Sequence, residues 1–219
     1  MDHSVNGDQE RELPGPHEPM AAARAFAADH WTHPNGALLL RNWRGGWWRW
    51  ETTHWAEVEH RAVREAAYRY TERAYFIMET KQGPVAVRWL PNRHKISDLL
   101  EALAAVVYLD EKTVQPSWTD GVEHEGMIVA CANGLVDVET RRLETHDPRY
   151  FNQTSVAFAY DPDAGDPVRW ERFLEDLWGD DTESIEALKQ WMGYIVSGRL
   201  DLDTIFLMVG PTRAGKGAI

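Results

Sequence analysis

Apolar residues recur at three- and four-residue intervals in some stretches of this chain and at alternate positions in others. The two rhythms mark out its elements. An alanine-rich stretch over residues 20–29, entered through Pro19, predicts a short helix. Residues 38–44 and 47–51 read as two strands around Gly45-Gly46, the spacing of a tight hairpin, and residues 55–59 as a third strand. Ala62, Val63, Ala66, Ala67 and Tyr70 share one stripe and predict a helix running to about Thr80, with 84–91 extended. Ile96, Leu99, Leu100, Leu103, Val106 and Val107 predict a further helix, with Ser97 placed to cap it. After a loop at 116–126, the apolar segments 127–132 and 135–138 flank Asn133-Gly134, a strong hairpin signal. A turn near 140–142 leads into 143–145. Two helices are expected over 168–178 and 182–197, with Asp180 or Asp181 as the cap of the second and Gly198 as its stop.

The last apolar run, residues 205–209, has strand length and feeds into Gly210-Pro211-Thr212-Arg213-Ala214-Gly215-Lys216-Gly217. A strand followed by Gly-x-x-x-x-Gly-Lys is the setting of a phosphate-binding loop. Glycines let backbone N–H groups wrap phosphate oxygens, and a lysine reaches the terminal phosphates. All eight residues are candidate ATP-binding positions. The Ser or Thr whose hydroxyl would ligate Mg²⁺ is absent, since Gly217 follows the lysine and Ala218 follows Gly217. The sequence stops three residues after Lys216. The helix that completes such a loop is therefore expected to belong to a longer parent, and this polypeptide is expected not to hydrolyse ATP.

Composition narrows the class. With 43% apolar and 26% charged residues the chain reads as a soluble globular protein. No run of 18 apolar residues exists to span a membrane. Residues 1–19 are acidic, lack an apolar segment and are expected to form a disordered leader. One cysteine, Cys131, allows no intrachain disulfide and fits a reducing cytoplasm. His30 and His33 form the only close histidine pair, which predicts no zinc site. The net charge of −12 is uneven: residues 1–40 carry −4, residues 41–95 carry +5 and residues 96–219 carry −13. A phosphate-contacting surface is therefore sought first in the basic, tryptophan-rich block. Pairing across Gly45-Gly46 would set Leu39, Arg41, Trp43, Trp48 and Trp50 on a core face. Asn42, Arg44, Trp47 and Arg49 would lie on the other. Arg44, Trp47 and Arg49 would there interleave two cations with an aromatic, as a single-stranded DNA platform does. Ordinary cross-strand packing is the competing reading.

The order of motifs resembles a known family. Asn133-Gly-Leu-Val-Asp-Val-Glu-Thr140, then Asp147-Pro-Arg-Tyr-Phe151, then Tyr160-Asp-Pro-Asp163 is similar to the poxvirus-type N-terminal domain of phage and plasmid primase–helicases. Trp191-Met-Gly-Tyr-Ile-Val-Ser-Gly198 and the glycine-rich run resemble the start of the superfamily 3 helicase that follows it. The Trp-Arg-Gly-Gly-Trp-Trp core looks like actinobacterial and actinophage members. The resemblance implies an α+β accessory domain joined to the first strand and loop of an α/β ATPase. Its regions would be a leader at 1–19, a tryptophan-rich hairpin and helix region at 20–91, a primase-type region at 92–200, and a truncated helicase start at 201–219. It implies a full-length parent that binds ATP and Mg²⁺, forms a homo-hexamer and unwinds DNA, with no membrane partner. Two alternatives stand beside it: a truncated, non-enzymatic module that binds DNA or a partner, and, ranked lower, a nucleotide kinase.

Overall fold

The computed structural model describes residues 10–121, 126–199, 201–210 and Gly217. Its backbone contacts divide the chain into two units. One holds residues up to Glu51 together with Trp55–Thr113; the other holds Thr52–His54 and Val114–Ile219. The expected boundary at residue 91 thus falls inside the first unit.

The first unit opens on β1 (Arg11–Glu12) and α1 (Pro19–His30), with Pro19 in the first turn. A three-stranded antiparallel sheet follows, β2 (Leu40–Trp43), β3 (Gly46–Trp50) and β4 (Trp55–Val58). Then come α2 (His60–Glu72), β5 (Ala74–Thr80), β6 (Gly83–Arg88) and α3 (Arg93–Val106). α2 ends at Glu72, so the helix expected to reach Thr80 gives way to a hairpin. Tyr75, Phe76, Ile77 and Met78 favour a pleated strand, and β5 gains ladders on both sides, antiparallel to β6 and parallel to β1. The α3 cap is Asn92 and not Ser97: the Asn92 side chain accepts from the amides of His94 and Lys95. Ser97 lies one turn further in, donating to Arg93 O and accepting from Arg64.

Residues 10–18 are not a disordered leader. Leu13 is buried, its amide donates to Tyr75 O at 2.9 Å, and Pro14 O accepts from the indole of fully buried Trp89 at 3.0 Å. Hydrophobic burial under a third strand outweighs the disorder-prone composition of this segment. Residues 1–9 lie outside the described residues. The unit's core packs Phe26, Leu40, Trp47, Val63, Tyr70 and Leu103 together, with α3 lying along α1.

In the second unit, β8 (Ile128–Cys131), β9 (Gly134–Asp137) and β10 (Leu143–Glu144) form one small antiparallel sheet. β7 (Ser117–Trp118) pairs with β11 (Tyr150–Phe151) in a second. The helices α4 (Val168–Trp178) and α5 (Thr182–Ser197) have the expected bounds; Leu174 and Leu188 are each 1% exposed, while Ile195 is 59% exposed. Asp181 caps α5 by accepting from Ser184 N, and Gly198 ends it in the left-handed region at φ +68°. The strand expected over residues 205–209 is not formed. Its backbone carries no regular structure, and Ile205 and Val209 are 91% and 87% exposed. Among the described residues no neighbouring strand supplies the ladder that a parallel strand needs.

Candidate functional site

The hairpin turn consists of Arg44 and Gly45, both at positive φ (+50° and +77°), the geometry of a type I′ turn. Trp43 therefore faces Gly46, Asn42 faces Trp47, Arg41 faces Trp48 and Leu40 faces Arg49, a register displaced from the one expected across Gly45-Gly46. Arg44 holds the turn from both sides. Its guanidinium lies 4.3 Å from the Trp43 ring centroid, and Nε donates to Glu111 O at 2.9 Å.

The burial of the two faces corrects the expectation. Leu40 (0%) and Trp47 (5%) enter the core, on the face expected to be open. The Trp47 indole N–H donates to His60 Nδ1 at 3.2 Å. Arg49 is exposed and ion-paired with Glu51. Arg44, Trp47 and Arg49 thus do not form an open stacking platform: the aromatic is inside and each cation has a local partner. The face expected to be core is buried at Trp43, which is 7% exposed, while Arg41, Trp48 and Trp50 are half-buried, and burial lowers the Arg41 pKa from its ordinary value. A recess of about 360 Å³ at the hairpin tip includes Trp47, His60, Glu57 and Glu59 in its lining. Those carboxylates repel phosphate.

Much of the basic block is engaged within the fold. Arg69 pairs with Glu65, Arg88 with Glu10, and Lys95 donates to the carbonyls of Trp89 and Leu90. Arg61, Lys81 and Arg93 are exposed and have no side-chain partner among the described residues.

In the second unit the motif residues join one another. Asn133 donates through Nδ2 to Tyr160 O at 2.9 Å and accepts from Tyr160 N at 2.8 Å. The Asp147 carboxylate accepts from the Arg149 amide and side chain, while the Tyr150 hydroxyl donates to Ile128 O at 3.0 Å. Burial raises the Tyr150 pKa, so it remains a neutral donor. Asp161 and Asp163 form a turn, with Asp163 N donating to Asp161 Oδ1. These residues build a scaffold. Among the described residues no three His, Cys, Asp or Glu side chains converge to hold a metal ion.

The approach to the glycine-rich run is fixed on α5. Phe206 stacks on Trp191, with centroids 5.2 Å apart and planes 11° from parallel. The Tyr194 hydroxyl donates to Leu202 O and accepts from Leu202 N, each at 3.2 Å. Residues 211–216 lie outside the described residues. Gly217 is exposed, with open space where a Cβ would project.

A family model described as D5 N terminal like matches residues 28–179, more than half of the chain. The chain belongs to this family, whose domain is found in phage and plasmid primase–helicase proteins, and so carries a primase–helicase-type N-terminal part. No curated protein matches it. Among the described residues no helix is long and apolar enough to cross a membrane.

Proposed function

We propose that this chain is the N-terminal part of a DNA-replication primase–helicase, contacting single-stranded DNA ahead of a superfamily 3 ATPase whose phosphate-binding loop is residues 210–217. The observation that carries this reading is order. A family match over residues 28–179 is followed by a glycine-rich run with Lys216. In that role the backbone N–H groups of Gly210, Thr212, Arg213, Ala214, Gly215 and Gly217 cradle ATP phosphates, while Pro211, which has no N–H, shapes the loop. Lys216 neutralises terminal phosphate charge. The run does not fit Mg²⁺ binding in the usual way, because Gly217 offers no hydroxyl.

The test is fluorescence anisotropy of the whole chain with a labelled single-stranded oligonucleotide across a salt series. Binding that weakens as salt rises supports the reading, since phosphate contacts release counterions. No binding even at low salt refutes it. For the loop, the replication protein that contains this chain should lose DNA-stimulated ATP hydrolysis on Lys216→Ala. Retained hydrolysis would remove residues 210–217 from the active site.

A further inference from the structure

A cleft of about 680 Å³ opens in the second unit, within the size range of ligand sites. Its apolar lining includes Val114, Pro116, Trp118, Met127 and Ile128. Gln115 and Ser117 alternate with these residues along the chain. Gln115 is only 6% exposed, yet its Nε2 has no hydrogen-bond partner, and neither has the Ser117 hydroxyl. Buried polar groups are normally paired, so these two mark a place prepared for polar atoms from outside.

Charge decides what those atoms belong to. Arg199, the cleft's one cation among the described residues, is held by Asp201, with Nε–Oδ1 at 2.9 Å. Glu139 is exposed, and its carboxylate has no partner among the described residues. The lining therefore carries one net negative charge. The whole unit carries 9 basic and 19 acidic side chains, a net of −10. Such a field repels a phosphate backbone and attracts a cation. Short strand β7, which contributes Ser117 and Trp118, pairs with β11 alone among the described residues and so has a second edge without a strand neighbour. An extended peptide can add to such an edge.

We propose that this cleft is a docking groove for an extended, lysine- or arginine-bearing segment of a partner protein. The aliphatic stem of the basic side chain lies over Trp118 and Ile128, its charged head meets Glu139, and Gln115 and Ser117 take polar groups of the peptide backbone. This inference does not depend on DNA binding by the chain.

The experiment uses the full chain and a short fluorescein-labelled peptide with lysine at alternate positions. Competitors are a matched glutamate peptide and an oligothymidine. The lysine peptide is expected to bind and the competitors to leave it in place. Glu139→Arg should weaken binding about tenfold or more, the loss of a close charge pair. Glu175→Arg, which makes the same charge change on an exposed α4 position outside the cleft, should change it by less than about twofold. Thermal melting confirms that both variants fold. Absent binding, equal losses in the two variants, or displacement by oligothymidine would each overturn the proposal, the last by assigning the cleft to nucleic acid.

Discussion

Trp47 on the hairpin and His60 at the start of α2 are joined by an indole N–H to Nδ1 hydrogen bond of 3.2 Å, which ties the small sheet to its neighbouring helix. The bond requires His60 Nδ1 to be unprotonated. It also commits the indole to the inside, where Trp47 is 5% exposed.

Trp47→Ala should therefore act on stability before it acts on binding. Removing a buried indole costs about 3–5 kcal/mol, and a urea denaturation series should show it as a lowered midpoint. Trp47→Phe keeps much of the volume and should cost less. A Trp47→Ala chain with an unchanged midpoint and weakened oligonucleotide binding would restore the open-platform reading.

Burial matters equally at the first described residues. Leu13→Ala should lose about 2–4 kcal/mol, because the side chain is 5% exposed and its neighbours β5 and Trp89 cannot close the gap fully. Limited proteolysis should find the wild-type segment around Leu13 resistant and the variant cut there. Equal cleavage of the two would mean that Leu13 contributes no packing.

Acid should destabilise the first unit through His30. The ring packs against the stacked pair Phe26 and Tyr70, with centroids at 5.3 and 5.0 Å. Burial pushes its pKa below the ordinary 6.5, the Arg11 charge adds to this, and Asp29 opposes it. Below pH 6.5 the unfolded chain takes up a proton that folded His30 resists, so stability falls as pH drops from 6.5 towards the lowered value. Above that window both states are neutral and the effect vanishes. Burial lowers His146 in the second unit in the same direction. Urea midpoints at about pH 7.5 and about pH 5.5 should differ less in His30→Gln than in wild type. An unchanged difference would show that other groups set the acid response.

Gly134→Ala should disrupt the β9–β10 pairing. Gly134 has φ +155°, and a Cβ there would overlap the carbonyl oxygen of Glu144. The cost should exceed the roughly 1 kcal/mol of a compatible Gly→Ala change, and with the opposite sign. Hydrogen exchange at Asp137 N, which donates to Arg142 O at 3.0 Å beside that pairing, reports it directly. Unaltered protection would mean that β10 moves aside easily.

Gly134 also explains where sequence reading failed. Both hairpins were legible, yet both turns lie one residue upstream of the expected pair: Arg44-Gly45 in place of Gly45-Gly46, and Ala132-Asn133 in place of Asn133-Gly134. The second residue of each expected pair, Gly46 and Gly134, belongs to a strand and has a close neighbour. A Cβ on Gly46 would meet Trp48 Nε1 at 3.3 Å, and one on Gly134 would meet the β10 backbone. At Gly134 glycine was demanded by crowding and not by chain reversal, a distinction that requires the partner strand to be known. α4 and α5 were readable to their ends because each carries its own stripe and boundary signals, in α5 including Asp181 and Gly198. The glycine-rich run around Lys216 was readable as chemistry. The cleft around Gln115 was not, since its lining comes from positions as far apart as Val114 and Asp201, and no local pattern announces it.

The stacking of Phe206 on Trp191 sets a leash length. Gly210 lies only four steps along the chain from Phe206, and an extended chain advances at most ~3.6 Å per residue. While that stack holds, Gly210 stays within ~14 Å of it, a short radius that spares whatever follows a wide search for its place.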